Sequence, residues 1–319
     1  MKKSTQVLVE PLPPFNFDGT VYVPHYFATP DVAWQPDNLW QTLNVRGEIY
    51  GLKMVNRGSV NDPGILVTIF SDAEPSDEGV GEILRELDWR YGLSEDLGDF
   101  YGEFEGDEFL GPIFGRWLGM KANCGNSLYE LMIISIVLQN ATVRRTVQMM
   151  NSLFEAYGEK LRFDDRELYA YWSPSALGEV DENELRALKV GYRAKTIKRI
   201  SEAFASGAVD ERRLRGMETE EARRELMRLP GVGPATAQIL LGGSLRRYDT
   251  FDLRGRLWEQ KILSRVMFDK EMTPIEEIVD TFSERYGRWR GLSLHYILTD
   301  LFWRHREKKI DWLDREIRL

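Results

Sequence analysis

Leu229-Pro-Gly-Val-Gly-Pro-Ala-Thr-Ala237 is the stretch on which the reading of this chain turns. Two segments of helical spacing flank it. Thr219–Met227 precedes it, with Thr219 as the expected N-cap. A short apolar helix over 235–241 follows, with Pro234 in a first turn where its missing N–H costs nothing. Between them, Gly231 and Gly233 bracket one apolar residue, Val232. Glycines there allow a tight turn with positive φ and put no side chain in the way of a close backbone approach. Val232 is expected to plug the space between the helices. The N–H groups of Gly231 and Gly233, and of the helix start at Ala235 and Thr236, then face an anion, which holds a phosphate without any charged side chain. A bare Gly-x-Gly carries little. The full string, between an amphipathic and an apolar helix, points to a nucleic-acid-binding hairpin.

The rest of the chain has to be compatible with such a partner. Its 319 residues are 43% hydrophobic and 12% aromatic, a core-forming composition with room for two or three domains. The net charge of −9 argues against nucleic acid, but the charge is unevenly spread. Residues 1–110 hold 7 Lys and Arg against 20 Asp and Glu, whereas residues 186–266, around the hairpin, hold 18 against 10. A basic segment in an acidic chain is a candidate footprint for phosphates. The single cysteine, Cys124, excludes an intramolecular disulfide and a four-cysteine metal or iron–sulfur site from this chain alone. His25, His295 and His305 have no metal-ligand spacing, so no metal is expected. No run of 18 apolar residues occurs, and Met1-Lys2-Lys3 is followed by no apolar stretch before Pro11. The expectation is a monomeric cytoplasmic protein with no membrane contact.

The first hundred residues read as short strands over 7–9, 21–23, 43–50, 52–55 and 65–70, separated by turn signals such as Asn61-Asp-Pro-Gly64. A helical pattern covers 79–91. From about residue 92 the chain reads as helical throughout, with helices over 127–139, 143–157, 182–188, 194–206, 219–227, 235–241, 253–268, 274–286 and 292–305, and another starting at Pro174. The expected fold is α+β: an N-terminal antiparallel β domain with a helix over 1–105, then a mostly α-helical, two-lobed core over 106–319, with the hairpin at 219–241.

Four segments together resemble one family. They are the hairpin string, Leu188-Lys-Val-Gly-Tyr-Arg-Ala-Lys195, Leu138-Gln-Asn-Ala-Thr-Val143, and Trp289-Arg-Gly-Leu-Ser-Leu-His-Tyr296. They resemble the helix-hairpin-helix (HhH-GPD) DNA glycosylase superfamily, in its AlkA-like (alkyl-base) and 8-oxoguanine glycosylase branches. A β domain before the helices is a feature of those two branches. The likeness rests on motifs over about 110–305 and on architecture alone over 1–100. It implies a nucleoid-associated repair enzyme of a prokaryote, an archaeon included. Its partner would be double-stranded DNA containing damaged bases; it would flip a base out and hydrolyse the N-glycosidic bond.

The transition state of that reaction has oxocarbenium character, and a nearby carboxylate stabilises it. The resemblance leaves two candidates, Asp249 and Asp252, in Tyr248-Asp-Thr-Phe-Asp-Leu-Arg-Gly-Arg256. Asp252 is favoured by its spacing from the hairpin and by an expected place at the start of the helix over 253–268, where the helix dipole would keep it ionised. Gln139 and Asn140 resemble the loop that fills the gap left by the extruded base. Gly191 and Arg193 are expected near the backbone of the DNA, and Tyr192 in packing. Trp117, Trp172, Trp258, Trp289 and Trp303 read as core residues. Members that also cleave the strand carry a lysine two residues after the second hairpin glycine; here that residue is Ala235. The resemblance therefore implies monofunctional release of alkylated or deaminated purines, unless another lysine, such as Lys261, substitutes as the amine. The alternatives are a bifunctional 8-oxoguanine-type glycosylase and lyase, or a non-catalytic DNA-binding protein. No cofactor is expected beyond a monovalent cation at the hairpin.

Overall fold

The computed structural model describes residues 1–316. The chain opens with β1 (Lys3–Val9), a short helix α1 (Phe17–Val21), then β2 (Val32–Gln35), β3 (Asn38–Val45), β4 (Glu48–Asn56) and β5 (Ile65–Ser71), followed by α2 (Asp77–Tyr91). The five strands form one antiparallel sheet in the order β1-β5-β4-β3-β2. Leu39, Leu43, Leu52, Met54, Val67 and Ile69 point to one face and bury against Ile83, Leu87 and Tyr91 of α2. Alternation along the strands and an i, i+4 stripe on the helix are what put these residues in one core.

Two local readings differ from the expected ones. Residues 21–23 are not a strand, because Asn16 caps α1 just before them: its side chain accepts from the Gly19 N–H at 2.9 Å. A side-chain cap overrides the β preference of Val21-Tyr-Val. The run 43–50 is two strands, divided at Arg46-Gly47, where φ is +53° and +85° and the chain reverses between Val45 and Glu48. That is the geometry of a two-residue hairpin turn.

The helical part comprises α3 (Gly98–Phe104), α4 (Leu110–Trp117), α5 (Leu128–Leu138) and α6 (Val143–Tyr157). After a small β-hairpin come α7 (Pro174–Gly178), α8 (Glu182–Leu185), α9 (Arg193–Ala205), α10 (Glu211–Gly216), α11 (Thr219–Met227) and α12 (Pro234–Gly243). The last elements are α13 (Leu257–Phe268), α14 (Ile275–Tyr286), α15 (Arg290–Glu307) and α16 (Asp311–Glu316). Its helices form two lobes with separate cores. One core runs continuously from Leu128 to Leu245 and is centred on α5, which is apolar all round, as a helix buried on every side must be. The other is built from two separated stretches, Leu97 to Ala122 and Phe251 to Leu313.

The β-hairpin corrects the all-helical expectation beyond residue 92. β6 (Glu159–Phe163) and β7 (Arg166–Ala170) pair antiparallel and lay Leu161, Phe163, Leu168 and Ala170 with Trp40 on the second face of the large sheet. The period-2 alternation of these residues is its sequence signal. Gly51 is required beneath it, since a Cβ there would meet the Phe163 ring at 2.5 Å.

Candidate nucleic-acid interface and active site

The glycine turn joins α11 and α12 as expected, with one difference between its glycines. Gly231 has φ +76°, and a Cβ on it would stand 2.5 Å from Cγ2 of Thr196 on α9. Gly233 has φ −95° and ψ −179°, extended backbone that any residue adopts, and open space where a Cβ would be. Gly231 is thus held by conformation and contact, while Gly233 keeps the outer surface clear. Val232 is 7% exposed and packs in the core that contains Leu226, Ala237 and Leu240. Backbone N–H groups of Gly231, Gly233, Ala235 and Thr236 have no partner within the chain, among the described residues. The first bond into the helix is from Ala237 N–H to the Gly233 carbonyl. Thr219 is not the N-cap of α11. Glu218 occupies that position without a side-chain bond, and the Thr219 hydroxyl donates instead to Asp249 at 2.9 Å.

Two other predicted segments meet this hairpin. Gln139, at the end of α5, donates to the Gly231 carbonyl at 2.8 Å and to the Thr236 hydroxyl at 3.1 Å. It is fastened to the turn instead of projecting from it. Asn140 is exposed, has φ +50°, and donates to the Tyr192 hydroxyl at 3.3 Å. Of the two amides, Asn140 is therefore the one presented to solvent. Arg193 is only 7% exposed, and its guanidinium donates to the Gln139 and Val190 carbonyls. It holds the 139–140 loop in place and does not face outward, contrary to the expected backbone contact. Gly191 reverses the chain with φ +68° in open space. Tyr192, expected in packing, is 57% exposed beside Asn140. No periodic signal marked it, since a residue in a turn has no face.

Asp249 and Asp252 line one cleft of about 450 Å³ together with Glu220, Arg223, Pro234, Arg254 and Arg290. The cleft thus abuts the start of α12. Its carboxylate-bearing loop is supported from behind. Gln238 donates to the Thr250 hydroxyl at 2.8 Å, and Gly291 lies so close that a Cβ on it would meet the Thr250 carbonyl at 2.8 Å and that of Tyr248 at 3.0 Å. This close approach is the structural reason for the glycine in Trp289-Arg-Gly-Leu292.

Asp252 does not start a helix. The next helix, α13, begins five residues later, and residues 252–256 form a loop with Gly255 at φ +78°. Its ionisation is secured locally instead. Burial pushes the Asp252 carboxyl up, but hydrogen bonds from the Arg254 backbone N–H (2.9 Å) and guanidinium, with the charges of Arg254 and Arg223, outweigh this and hold it below the usual range. The Asp252 side chain is 13% exposed and that of Arg254 is 74% exposed. Ala235 sits beside this loop: a Cβ on Gly255 would lie 3.6 Å from that of Ala235. Lys261 is bonded to Glu316 at 2.7 Å. Among the described residues no group of three or more His, Cys, Asp or Glu is placed to hold a metal. No described helix is long and apolar enough to cross a membrane.

Residues 133–309 match the family model of the HhH-GPD superfamily base excision DNA repair protein. The chain is similar to a protein of Methanothermobacter thermautotrophicus named "Probable N-glycosylase/DNA lyase", with 28% identity over 203 residues, 57% of this chain and 64% of the relative. It is also similar to the DNA-3-methyladenine glycosylase of Bacillus subtilis, with 21% identity over 260 residues, 80% of this chain and 84% of that one. Among solved structures, the 3-methyladenine DNA glycosylase from Archaeoglobus fulgidus superposes with a TM-score of 0.76 over 93% of this chain and 98% of its own, at 18% identity, a likeness of fold.

Proposed function

This chain belongs to the HhH-GPD superfamily of base excision DNA repair proteins, the helix-hairpin-helix DNA glycosylases, and we propose that within it the chain hydrolyses the N-glycosidic bond of alkylated or deaminated purines without cutting the strand. The observation that carries this reading is the pairing of an ionised Asp252 with Ala235 across one loop, in a cleft that abuts the hairpin.

The free N–H groups of residues 231, 233, 235 and 236 take a phosphate of the bent strand. Asn140 enters the space the flipped nucleotide leaves, while Gln139 and Arg193 brace the loop that carries it. As the bond from C1′ to the base nitrogen lengthens, its electrons leave with the base and positive charge gathers on C1′ and the ring oxygen. The Asp252 carboxylate lines the cleft that abuts the hairpin and is bonded within its own loop, and it stabilises that cation. A water molecule then adds to C1′ and gives up a proton, for which Asp252 is the acceptor. The product is an intact strand with an abasic site. Strand cleavage would need an amine to add to C1′ and form a Schiff base, from which the 3′ phosphate leaves by β-elimination. Ala235 supplies none, and Lys261 is held by Glu316.

The name of the Methanothermobacter relative favours a second reading, a combined glycosylase and lyase. One experiment separates the two. Duplexes with a single 7-methylguanine, hypoxanthine or 8-oxoguanine are incubated with the protein, with and without hot alkali and with borohydride. Breaks that appear only after alkali support monofunctional release. Breaks without alkali, with a borohydride-trapped complex, would overturn it.

A further inference from the structure

The chain crosses between the two helical lobes twice. It leaves one core at Ala122 and enters the other at Leu128, then leaves that core at Leu245 and returns at Phe251. Neither crossing is held by secondary structure, since no helix or strand covers residues 118–127 or 244–256. The second crossing runs straight into the loop that carries Asp249 and Asp252. Its place between the lobes therefore sets the place of both carboxylates.

One side chain outside both crossings binds them together. Glu95 lies between α2 and α3, before residues 133–309, the stretch that matches the family. One of its carboxylate oxygens accepts from the Tyr248 hydroxyl at 2.7 Å, and the other faces the Arg246 guanidinium at 3.4 Å. Its backbone carbonyl accepts from Nζ of the fully buried Lys121 at 2.7 Å. Arg246 in turn donates to the Ala122 carbonyl from both terminal nitrogens, at 2.7 and 3.1 Å. Hydrogen bonds to or from an ionised group are stronger than neutral ones. The first crossing, at Lys121 and Ala122, and the second, at Arg246 and Tyr248, thus meet at one residue.

The backbone is shaped around this clasp. Arg246 has φ +51°, a left-handed conformation that is costly for a residue with a side chain and persists where the surroundings fix it. Gly92, at the end of α2, leaves room for it: a Cβ there would collide with the Arg246 guanidinium and stand 2.8 Å from the Glu95 carboxylate. Tyr248 is also held through its backbone, where its carbonyl accepts from the Gly291 N–H at 2.7 Å. Glu95 and Arg246 line a cavity of about 350 Å³ that shares no lining residue with the cleft of Asp249 and Asp252. In sequence, Tyr248 stands between the residues of the one and the residues of the other. Glu95 therefore acts on the cleft only through its partners.

We propose that Glu95 is a positioning residue for base release: through Tyr248 and Arg246 it fixes where the Asp249–Asp252 loop stands between the lobes, and so the distance from the catalytic carboxylate to C1′ of the flipped nucleotide. This rests on the glycosylase reading above. A misplacement of about 1 Å costs on the order of a hundredfold in rate. The hairpin is held separately, by Gln139 and by the contact with Thr196. Loss of the clasp thus falls on the chemical step and not on the grip on DNA.

The wild type, Tyr248→Phe, Glu95→Ala, Glu95→Gln and the Glu95→Ala, Tyr248→Phe double variant are compared on duplexes with 7-methylguanine, hypoxanthine or 8-oxoguanine, using the lesion that the wild type releases fastest. Single-turnover base release, affinity for an abasic duplex and thermal melting are measured for each. Tyr248→Phe, which removes one oxygen, is expected to slow release about tenfold and Glu95→Ala about a hundredfold, with affinity for the abasic duplex within about threefold of wild type. Glu95→Gln keeps an acceptor for Tyr248 and is expected to recover release to within about tenfold of wild type. The double variant is expected to be no slower than Glu95→Ala, because both substitutions act through one contact. Should Glu95→Ala melt early, Tyr248→Phe decides. Wild-type release from Tyr248→Phe and Glu95→Ala, whatever their melting temperatures, would overturn the inference, as would release and abasic affinity falling in equal proportion; both results leave the glycosylase reading standing. A wild type that releases no base from any of the three duplexes, with affinity intact, would overturn that reading and the inference with it.

Discussion

Asp252→Asn is the substitution that bears hardest on the chemistry. It keeps the shape of the side chain and removes one charge. In the native fold that charge faces a cleft, at 13% side-chain exposure, with its ionised form held by Arg254. Two unit charges 4 Å apart interact by about 4 kcal/mol at the effective dielectric of 20 typical near a protein surface. Losing such an interaction in the transition state alone corresponds to roughly a thousandfold in rate. The Arg254 guanidinium opposes this in the free protein, but its side chain is 74% exposed. An ion pair that open is weakly held, and a nearby phosphate competes for it. The expected outcome is therefore a loss of single-turnover base release of roughly 10³-fold, with binding to an abasic duplex within threefold of wild type. Because the Asp252 carboxyl is held below its usual range, release should show no loss from this group as pH falls from 8 towards 5. Asp249→Asn is the control. It should act on stability through the Thr219 bond, at about 1–2 kcal/mol, and slow release less than tenfold. If Asp249→Asn abolishes release and Asp252→Asn does not, the assignment is refuted.

Three further outcomes follow from the same geometry. Gly231→Ala combines a φ of +76° with a Cβ 2.5 Å from Thr196, so it should cost about 1–3 kcal/mol in thermal melting and weaken binding to undamaged duplex at least tenfold; Gly233→Ala, in open space, should keep the melting temperature. Asn140→Ala should slow base release more than Gln139→Ala in single-turnover assays, because Asn140 is exposed and Gln139 is tied to the hairpin. Asp31 is buried and its carboxyl is pushed up to about 7 by burial. The folded chain thus keeps a proton there that the unfolded chain has lost above about pH 4, so stability falls as pH rises from about 4 to 7. Asp31→Asn removes that dependence. It should raise stability by about 2–4 kcal/mol at pH 8 and by little at pH 4, read as melting temperature against pH.

The elements legible in the sequence are those whose boundaries are set by local chemistry. Ser127 with Glu130 forms a complete capping box ahead of α5, and Thr142 caps α6, so both helices begin where the sequence says. The hairpin is legible for the same reason, since Pro234, Gly231 and Val232 each have one conformational role. What was not legible depends on distant partners. β6 and β7 exist because the second face of the large sheet needs cover at Trp40 and Gly51, more than a hundred residues earlier. Tyr192 and Arg193 are neighbours in sequence, yet one is exposed and the other buried, and only the position of the Gln139 carbonyl decides which.

The division of roles proposed for the two aspartates has to arise within four residues. Both line the same cleft, and their spacing alone does not separate them. Their partners do. Asp249 accepts from Thr219, the first residue of α11, so its charge sits at a helix N-terminus and steadies the helix that carries the turn. Moving it would move the phosphate site. Among the described residues Asp252 is bonded only within its own loop, to the backbone and side chain of Arg254, and that loop is backed by the Gly291 contact. Its carboxylate is therefore kept ionised by a group that can leave, while its position is kept by groups that cannot. A catalytic charge needs both conditions: it must be present before the substrate arrives, and its neutralising partner must be exchangeable for one on the substrate. Asp249 fails the second condition, because its partner is part of the scaffold.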